Sequence, residues 1–196
     1  DDIPDIAFSN VAYGAFDVQI YLADGSGGFL EAPEIQAATL TLSVALDDLD
    51  RDGQNDLVFT SYDGTVSVAL GNGDGTFGPV ASYTVGLPSL GVGPGNVTIE
   101  DVNGDGAHDL LVASPLTNSL AVLLGNGDGT FQAAQQFATG GDGSGWVAVA
   151  DFNGDGRPDA GVANFGSNSV STLLNIAGLG PTYTIDKNDP PAIISD

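Results

Sequence analysis

The chain has 196 residues, with 26 acidic side chains against three basic ones and a net charge of −23. Three scattered cations cannot displace counterions from phosphates, so nucleic acid and anionic membranes are excluded as partners. The absence of cysteine excludes disulfides, thiolate metal sites and cysteine nucleophiles.

The N-terminus, Asp1-Asp2-Ile3-Pro4-Asp5, has neither the basic start nor the apolar stretch of a signal peptide, so the sequence reads as a mature or excised product. No apolar run approaches the roughly 18 residues that span a bilayer. An apolar share of 42% supports a core, and 29 glycines with 10 prolines suit short strands joined by tight turns. The acids comprise 23 aspartates and only three glutamates, Glu31, Glu34 and Glu100. Aspartate is the turn-forming acid, because its short side chain bonds nearby backbone or a cation.

In chain order, Asp24-Gly-Ser-Gly-Gly-Phe29 is a first glycine loop, and Glu31 and Glu34 flank an outer strand. Val44-Ala-Leu46 is a strand that leads into Asp48-Leu-Asp50-Arg-Asp52-Gly53-Gln54-Asn55-Asp56. Leu57–Thr60 follows as a strand, then an Asp63-Gly64 turn. Thr65–Leu70 alternates with period two, as a half-buried strand does. Gly71-Asn-Gly-Asp-Gly-Thr-Phe77 is a hairpin loop, and Val80–Val85 a fourth strand. The order then recurs. Val97–Ile99 precedes Asp101-Val-Asn103-Gly-Asp105-Gly106-Ala107-His108-Asp109. Leu110–Val112, Ser119–Leu124, the loop Gly125-Asn-Gly-Asp-Gly-Thr-Phe131 and Ala134–Phe137 follow. It recurs again as Trp146–Val149, Asp151-Phe-Asn153-Gly-Asp155-Gly156-Arg157-Pro158-Asp159, Ala160–Val162 and Ser169–Leu174. No segment has a helical apolar period.

The pattern D-x-[DN]-x-D-G-x-x-D thus occurs three times, with starts 53 and 50 residues apart, and Asp5 aligns with its ninth position. A period near 50 with two motifs in step marks a repeat architecture. Four short antiparallel strands per repeat is the arithmetic of a propeller blade. A two-sheet sandwich or a β-solenoid also uses short strands, but does not place one loop at the same point of every repeat. The expected fold is all-β: about four blades, at approximately 1–38, 39–86, 92–139 and 145–188, with the first incomplete. Residues 176–196 form a tail containing a strand.

Acids at positions one, three and five can aim oxygens at one centre. The glycine at six permits a sharp reversal, the carbonyl at seven adds a ligand, and the aspartate at nine closes the site. Hard oxygen donors in that number suit calcium rather than zinc or copper. Without a cation the clustered acids raise one another's pKa. An EF-hand is excluded, because position twelve is Phe59, Val112 or Val162 instead of a glutamate, and a dockerin-type loop fails likewise.

The three aspartate loops, each followed by a strand, and the two GNGDGTF loops resemble the FG-GAP/VCBS repeat family, which includes the integrin α-subunit propeller. The resemblance covers about residues 1–175. It implies a β-propeller, usually of seven blades, with calcium in an outer loop between the first two strands of a blade. Carried over residue by residue, the implied ligands are Asp48, Asp50, Asp52, the Gln54 carbonyl and Asp56. The second set is Asp101, Asn103, Asp105, the Ala107 carbonyl and Asp109. The third is Asp151, Asn153, Asp155, the Arg157 carbonyl and Asp159. Asp1, Ile3 and Asp5 would complete a partial fourth. The chain departs from the family in holding fewer than four full repeats, and in having Asn175-Ile-Ala-Gly-Leu-Gly180 where a fourth GNGDGTF would stand.

The expected function is a non-catalytic, calcium-binding recognition or adhesion module outside the cell, with a glycan or protein ligand. The alternative is a self-assembling subunit whose first blade is completed by a strand from another copy, Tyr183–Ile185 being the candidate donor and also a candidate outer strand of the fourth blade. No catalytic residue is assigned: the single histidine, His108, sits inside a loop, and the glutamates show no pairing. Trp146 is expected to pack between blades, with sugar stacking as its other reading. Tyr13 and Tyr62 are further ligand-contact candidates. Asn96-Val-Thr98 is a glycosylation sequon.

Overall fold

The computed structural model describes residues 4–10, 17–87, 93–176 and 182–185. Among these there is no helix, and the strands form four antiparallel four-stranded sheets. Sheet one holds β1 (Ile6–Asn10), β2 (Asp17–Ala23), β3 (Phe29–Glu31) and β4 (Ile35–Gln36); β3 and β4 both pair with β2. Sheet two runs β5 (Thr41–Asp47), β6 (Asp56–Ser61), β7 (Thr65–Ala69), β8 (Ala81–Thr84) in spatial order. Sheet three runs β9 (Val97–Glu100), β10 (Asp109–Ser114), β11 (Ser119–Leu123), β12 (Gln135–Ala138). Sheet four runs β13 (Ser144–Ala150), β14 (Asp159–Asn164), β15 (Ser169–Ile176), β16 (Thr182–Ile185).

Within each sheet successive strands pair antiparallel, and the second and third strands of sheets two to four join by tight turns. The β6–β7 reversal uses Gly64 at φ +83°, and the matching turns use Asn118 and Asn168 at φ +49° and +50°. Asparagine tolerates that left-handed region better than most side chains.

The two faces of a sheet bury into different neighbours. Leu57 and Phe59 of β6 pack against Val18 and Ile20 of sheet one. Val58, Val66 and Val68 pack against Leu110, Val112 and Leu123 of sheet three. Leu111, Leu120 and Val122 in turn meet Val147, Val162 and Leu173 of sheet four. Strands buried on both faces explain why β6, β10 and β11 are apolar without alternation.

Polar clasps fix how successive sheets sit. The Asn96 side chain accepts the Val147 N–H at 2.7 Å and donates to the Val147 carbonyl at 3.0 Å, and Thr98 Oγ1 donates to that same carbonyl. One sheet earlier, Ser43 Oγ accepts the Val97 N–H. The sequon asparagine is therefore a structural clasp, with its amide already engaged.

One expectation is corrected, and one open alternative is decided. Trp146 does not pack between the described sheets. It lies on the free face of sheet four, 60% exposed, its ring edge-on to Phe165. Of the two readings of Tyr183–Ile185, the outer strand of the fourth sheet holds and the donor strand does not: β16 pairs with β15, Leu173 opposite Ile185 and Ile176 opposite Thr182.

Replacing Asn96 with alanine strands the part-buried N–H of Val147, whose carbonyl keeps the Thr98 hydroxyl. The expected loss is about 1–3 kcal/mol, read as a lower urea midpoint, while Leu116→Ala on the 42%-exposed turn leaves the midpoint nearly unchanged.

Candidate metal centre

The three aspartate loops each join the first and second strands of a sheet. Within them, carboxylates are satisfied first by backbone amides. Asp48 accepts the N–H groups of Asp52 and Gly53, Asp50 accepts that of Asp52, and Asp52 accepts that of Gln54. Loops two and three repeat this: Asp101 accepts from Gly104 and Gly106, and Asp151 from Gly154, Asp155 and Gly156. Asn103 and Asn153 accept from Asp105 and Asp155, which accept in turn from Ala107 and Arg157. Gathering the amides turns the loop around a centre toward which oxygens can converge. The Gly156 amide, first among several, holds the Asp151 carboxyl below the usual carboxylate range.

The ninth position behaves differently. Asp56, Asp109 and Asp159 are completely buried. One oxygen of Asp56 accepts the Leu49 N–H and the other the Gly71 N–H, both at 2.8 Å. Asp109 bonds Val102 and Gly125 in the same way, and Asp159 bonds Phe152 and Asn175. Each is a clamp that pins its loop to the end of the third strand. Asp5, aligned with this position, accepts the Ala23 N–H at 2.8 Å, which is the same contact in sheet one. The sequence reading gave these residues only a ligand's role. Their full burial, and the amides reached 15 or 16 residues later, carry no local signature.

In the first loop, one oxygen from each of Asp48, Asp50 and Asp56 lies within 4.8 Å of the other two, so this group could hold a metal ion. The donors are carboxylate oxygens, which fit a hard cation such as Ca²⁺. Asp52 stands outside this trio. Loops two and three carry Asn103 and Asn153 at the third position, whose Nδ2 groups donate to Asp105 and Asp155. In the third loop the Arg157 guanidinium also pairs with Asp155, and its Nε bonds the Asn175 carbonyl at 2.8 Å. Loop one holds four carboxylates where loops two and three hold three each, and its own Arg51 reaches toward Gly106 and Gly127 of the next sheet. Asp1 and Ile3 lie outside the described residues, as does Tyr13. Tyr62 is half-buried beside the β6–β7 turn, its N–H bonded to Leu40. His108 Nδ1 lies 3.2 Å from Asp47 Oδ2 of the preceding sheet.

The glycine loops have their own chemistry. Asp74 and Asp128 accept both the N–H and the hydroxyl of Thr76 and Thr130, and Asp24 does the same with Ser26. These bonds lower all three carboxyl pKa values.

Residues 48–112 and 101–162 match the family model of an FG-GAP-like repeat. The chain belongs to that family. A comparison with curated proteins finds no match. Among solved structures, the FG-GAP-like chain is similar to a mutant of the Photorhabdus luminescens Tc holotoxin pore, with TM-score 0.48 and 22% identity. That likeness covers 91% of this chain and 8% of the toxin chain. In the FG-GAP-like repeats, the position-twelve residues Phe59, Val112 and Val162 are buried strand residues, so no ligand can come from there.

Burial pushes the Asp109 carboxyl up to about 6, with Asp105 and Asp101 adding repulsion, against the downward pull of the Gly125 and Val102 amides. Asp56 is raised for the same first reason. In chelator, the folded chain holds a proton on Asp109 that the unfolded chain releases near pH 4. This contribution is therefore fully present below pH 4 and lost as pH rises through about 6. Urea midpoints measured in EDTA from pH 4 to 7 should fall with pH. Asp109→Asn, which carries no titrating proton, should flatten that slope.

Proposed function

We propose that the chain is a calcium-stabilised β-propeller module, non-catalytic, that presents a glycan- or protein-binding surface outside the cell. The observation that carries the reading is the convergence of Asp48, Asp50 and Asp56 in a loop recurring at the same place in three sheets. Four four-stranded sheets, each sharing a core with the next, support the propeller. Loop closure by calcium removes the repulsion that a −23 chain stores at its rim; three filled sites would add six positive charges and leave −17. Extracellular calcium modules bind at roughly 10⁻⁴ to 10⁻³ M. Such sites stay empty in a low-calcium cytosol and fill outside the cell, which supports the extracellular placement. Tyr62 and the exposed Trp146 are the aromatic candidates for ligand contact.

Melting in calcium and in EDTA tests this. At a hundredfold excess over Kd each filled site adds about 2.7 kcal/mol, so the melting temperature should rise clearly with calcium. Equal melts in the two buffers would sink the reading.

The single-residue version compares two acids of equal charge. Asp48→Ala should remove one site's share of the calcium-dependent rise, about 2.7 kcal/mol, with one equivalent fewer bound by titration calorimetry. Asp74→Ala, in a threonine-satisfied glycine loop, should keep the full stoichiometry. Equal losses of bound calcium in both variants would mean that bulk charge, and not the loop, takes up the ion.

A further inference from the structure

Asn72, Asn103, Asn126 and Asn153 are each followed by glycine. A glycine nitrogen has no neighbouring side chain to obstruct it, so it can attack the asparagine Cγ and close a cyclic imide. The fold treats these asparagines differently. In the aspartate loops, the Asn103 carboxamide is held at both ends by Asp105, at 2.8 Å each, and Asp101 takes the Gly104 N–H at 2.8 Å. Asn153 and Gly154 repeat these bonds with Asp155 and Asp151. The surrounding carboxylates also oppose the negative charge that such an attack develops.

The glycine loops hold their asparagines more loosely. Asn72 and Asn126 are exposed. Each carboxamide makes one bond, from Nδ2 to the hydroxyl of Thr76 at 2.9 Å or of Thr130 at 2.8 Å. Among the described residues, the N–H groups of Gly73 and Gly127 have no hydrogen-bond acceptor. Residues 71–77 and 125–131 are identical, so these loops form a matched pair in which only the surroundings differ.

The surroundings differ in charge. Over Gly73 lies the Gln54 side chain, its Oε1 2.5 Å from where a Cβ would stand. One sheet on, the place of Gln54 is held by Ala107, which has no group to reach so far. Arg51 of sheet two fills that space instead: its Cζ and Nη2 lie 3.2 Å, and its Nη1 3.4 Å, from the Cβ site of Gly127. The ion pairs among the described residues do not include Arg51, so its charge is not tied to a carboxylate there. A cation beside a developing oxyanion lowers the barrier, whereas a carboxamide oxygen does not.

We propose that Asn126 is a site of spontaneous covalent modification, promoted by Arg51 of the neighbouring sheet. The Gly127 nitrogen gives its proton to solvent base and attacks Asn126 Cγ. The N–Cγ bond forms, the Cγ–Nδ2 bond breaks, and Nδ2 leaves as ammonia after taking a proton from water. Water then opens the imide at either carbonyl, which leaves aspartate or isoaspartate at position 126. The carboxyl product lacks the Nδ2 donor that now bonds Thr130. Isoaspartate also adds a carbon to the main chain shortly before Gly129, the glycine on which Leu70 rests. The modification thus loosens the joint between sheets two and three as the protein ages.

The test incubates the whole 196-residue chain at mildly alkaline pH, with calcium and with EDTA, which keeps the result apart from metal binding. Peptide mass mapping reads the replacement of –NH2 by –OH at each asparagine, and enzymatic methylation reads isoaspartate. In the folded chain Asn126 should be modified roughly threefold or more faster than Asn72, with Asn103 and Asn153 slowest. In urea these rates should converge. Arg51→Gly places at φ +68° the residue that the other two loops carry there, Gly104 and Gly154. It should keep the circular dichroism and bring Asn126 down to the rate of Asn72. Arg51→Lys retains the charge and should retain part of the lead. Equal rates at Asn72 and Asn126 in the folded wild type overturn the proposal, as does a lead of Asn126 that survives Arg51→Gly or persists in urea. It is also overturned if Asn103 or Asn153 leads in the folded chain.

Discussion

A carboxylate sealed from water and bonded to two main-chain amides is the constraint on which each repeat depends. Burying a charged group is costly unless its hydrogen bonds are made. Asp56, Asp109 and Asp159 each make them with one amide of their own loop and one at the end of the third strand. The loop's entry, the second strand and the third strand are thereby tied at a single side chain. The polar side chains at positions one, three and five are then held in reach of solvent, and in the first loop Asp48 and Asp50 lie close enough to Asp56 to share a cation. The same buried group that orders the loop also sets its charge, since burial raises the carboxyl pKa of Asp109 and Asp56.

Stacking supplies the rest of the stability. No single sheet buries both its faces alone. Each internal sheet, two and three, gives one apolar face to the sheet before it and the other to the sheet after it. Such a series is close to one-dimensional, with the stability of a sheet set by itself and its immediate neighbours. The clasps of Ser43 and Asn96 add direction to what apolar contact leaves free, because an amide accepts a specific N–H at a specific place.

Much of this was legible in the residues. The strands, the turn at Asp63-Gly64 and the repeat period follow from alternation, glycine and acid spacing, which are local properties. The metal-compatible trio was legible too, except that Asp52 stands outside it. What the letters did not carry was long-range. An aspartate that binds an ion and one that clamps two amides have the same side chain, and only the fold shows which amides arrive. Asn96 looked like a glycan acceptor because the peptide it holds lies 51 residues away. Trp146 looked like a residue packed between sheets, because whether a neighbour covers a face is not written in the strand that bears it. The outer strand of sheet one, read between Glu31 and Glu34, is instead two short pieces, β3 and β4, that lie on either side of Pro33 and both pair with β2.

The glycine loops at 71–77 and 125–131 are identical over seven residues, and this bears on how the chain reaches its native order. While it is unfolded, either loop can offer the same socket to Leu22 or Leu70, so apolar contact alone does not tell neighbours apart. Near-identical adjacent repeats are prone to exchange partners in this way. The features that set successive interfaces apart are the small ones: Ser43 and Leu49 between sheets two and three, Asn96 and Val102 between sheets three and four, and Arg51 packed over Gly127. These side chains work as an address label for each sheet, and substitutions that made the repeats more alike would trade correct chain order for local regularity.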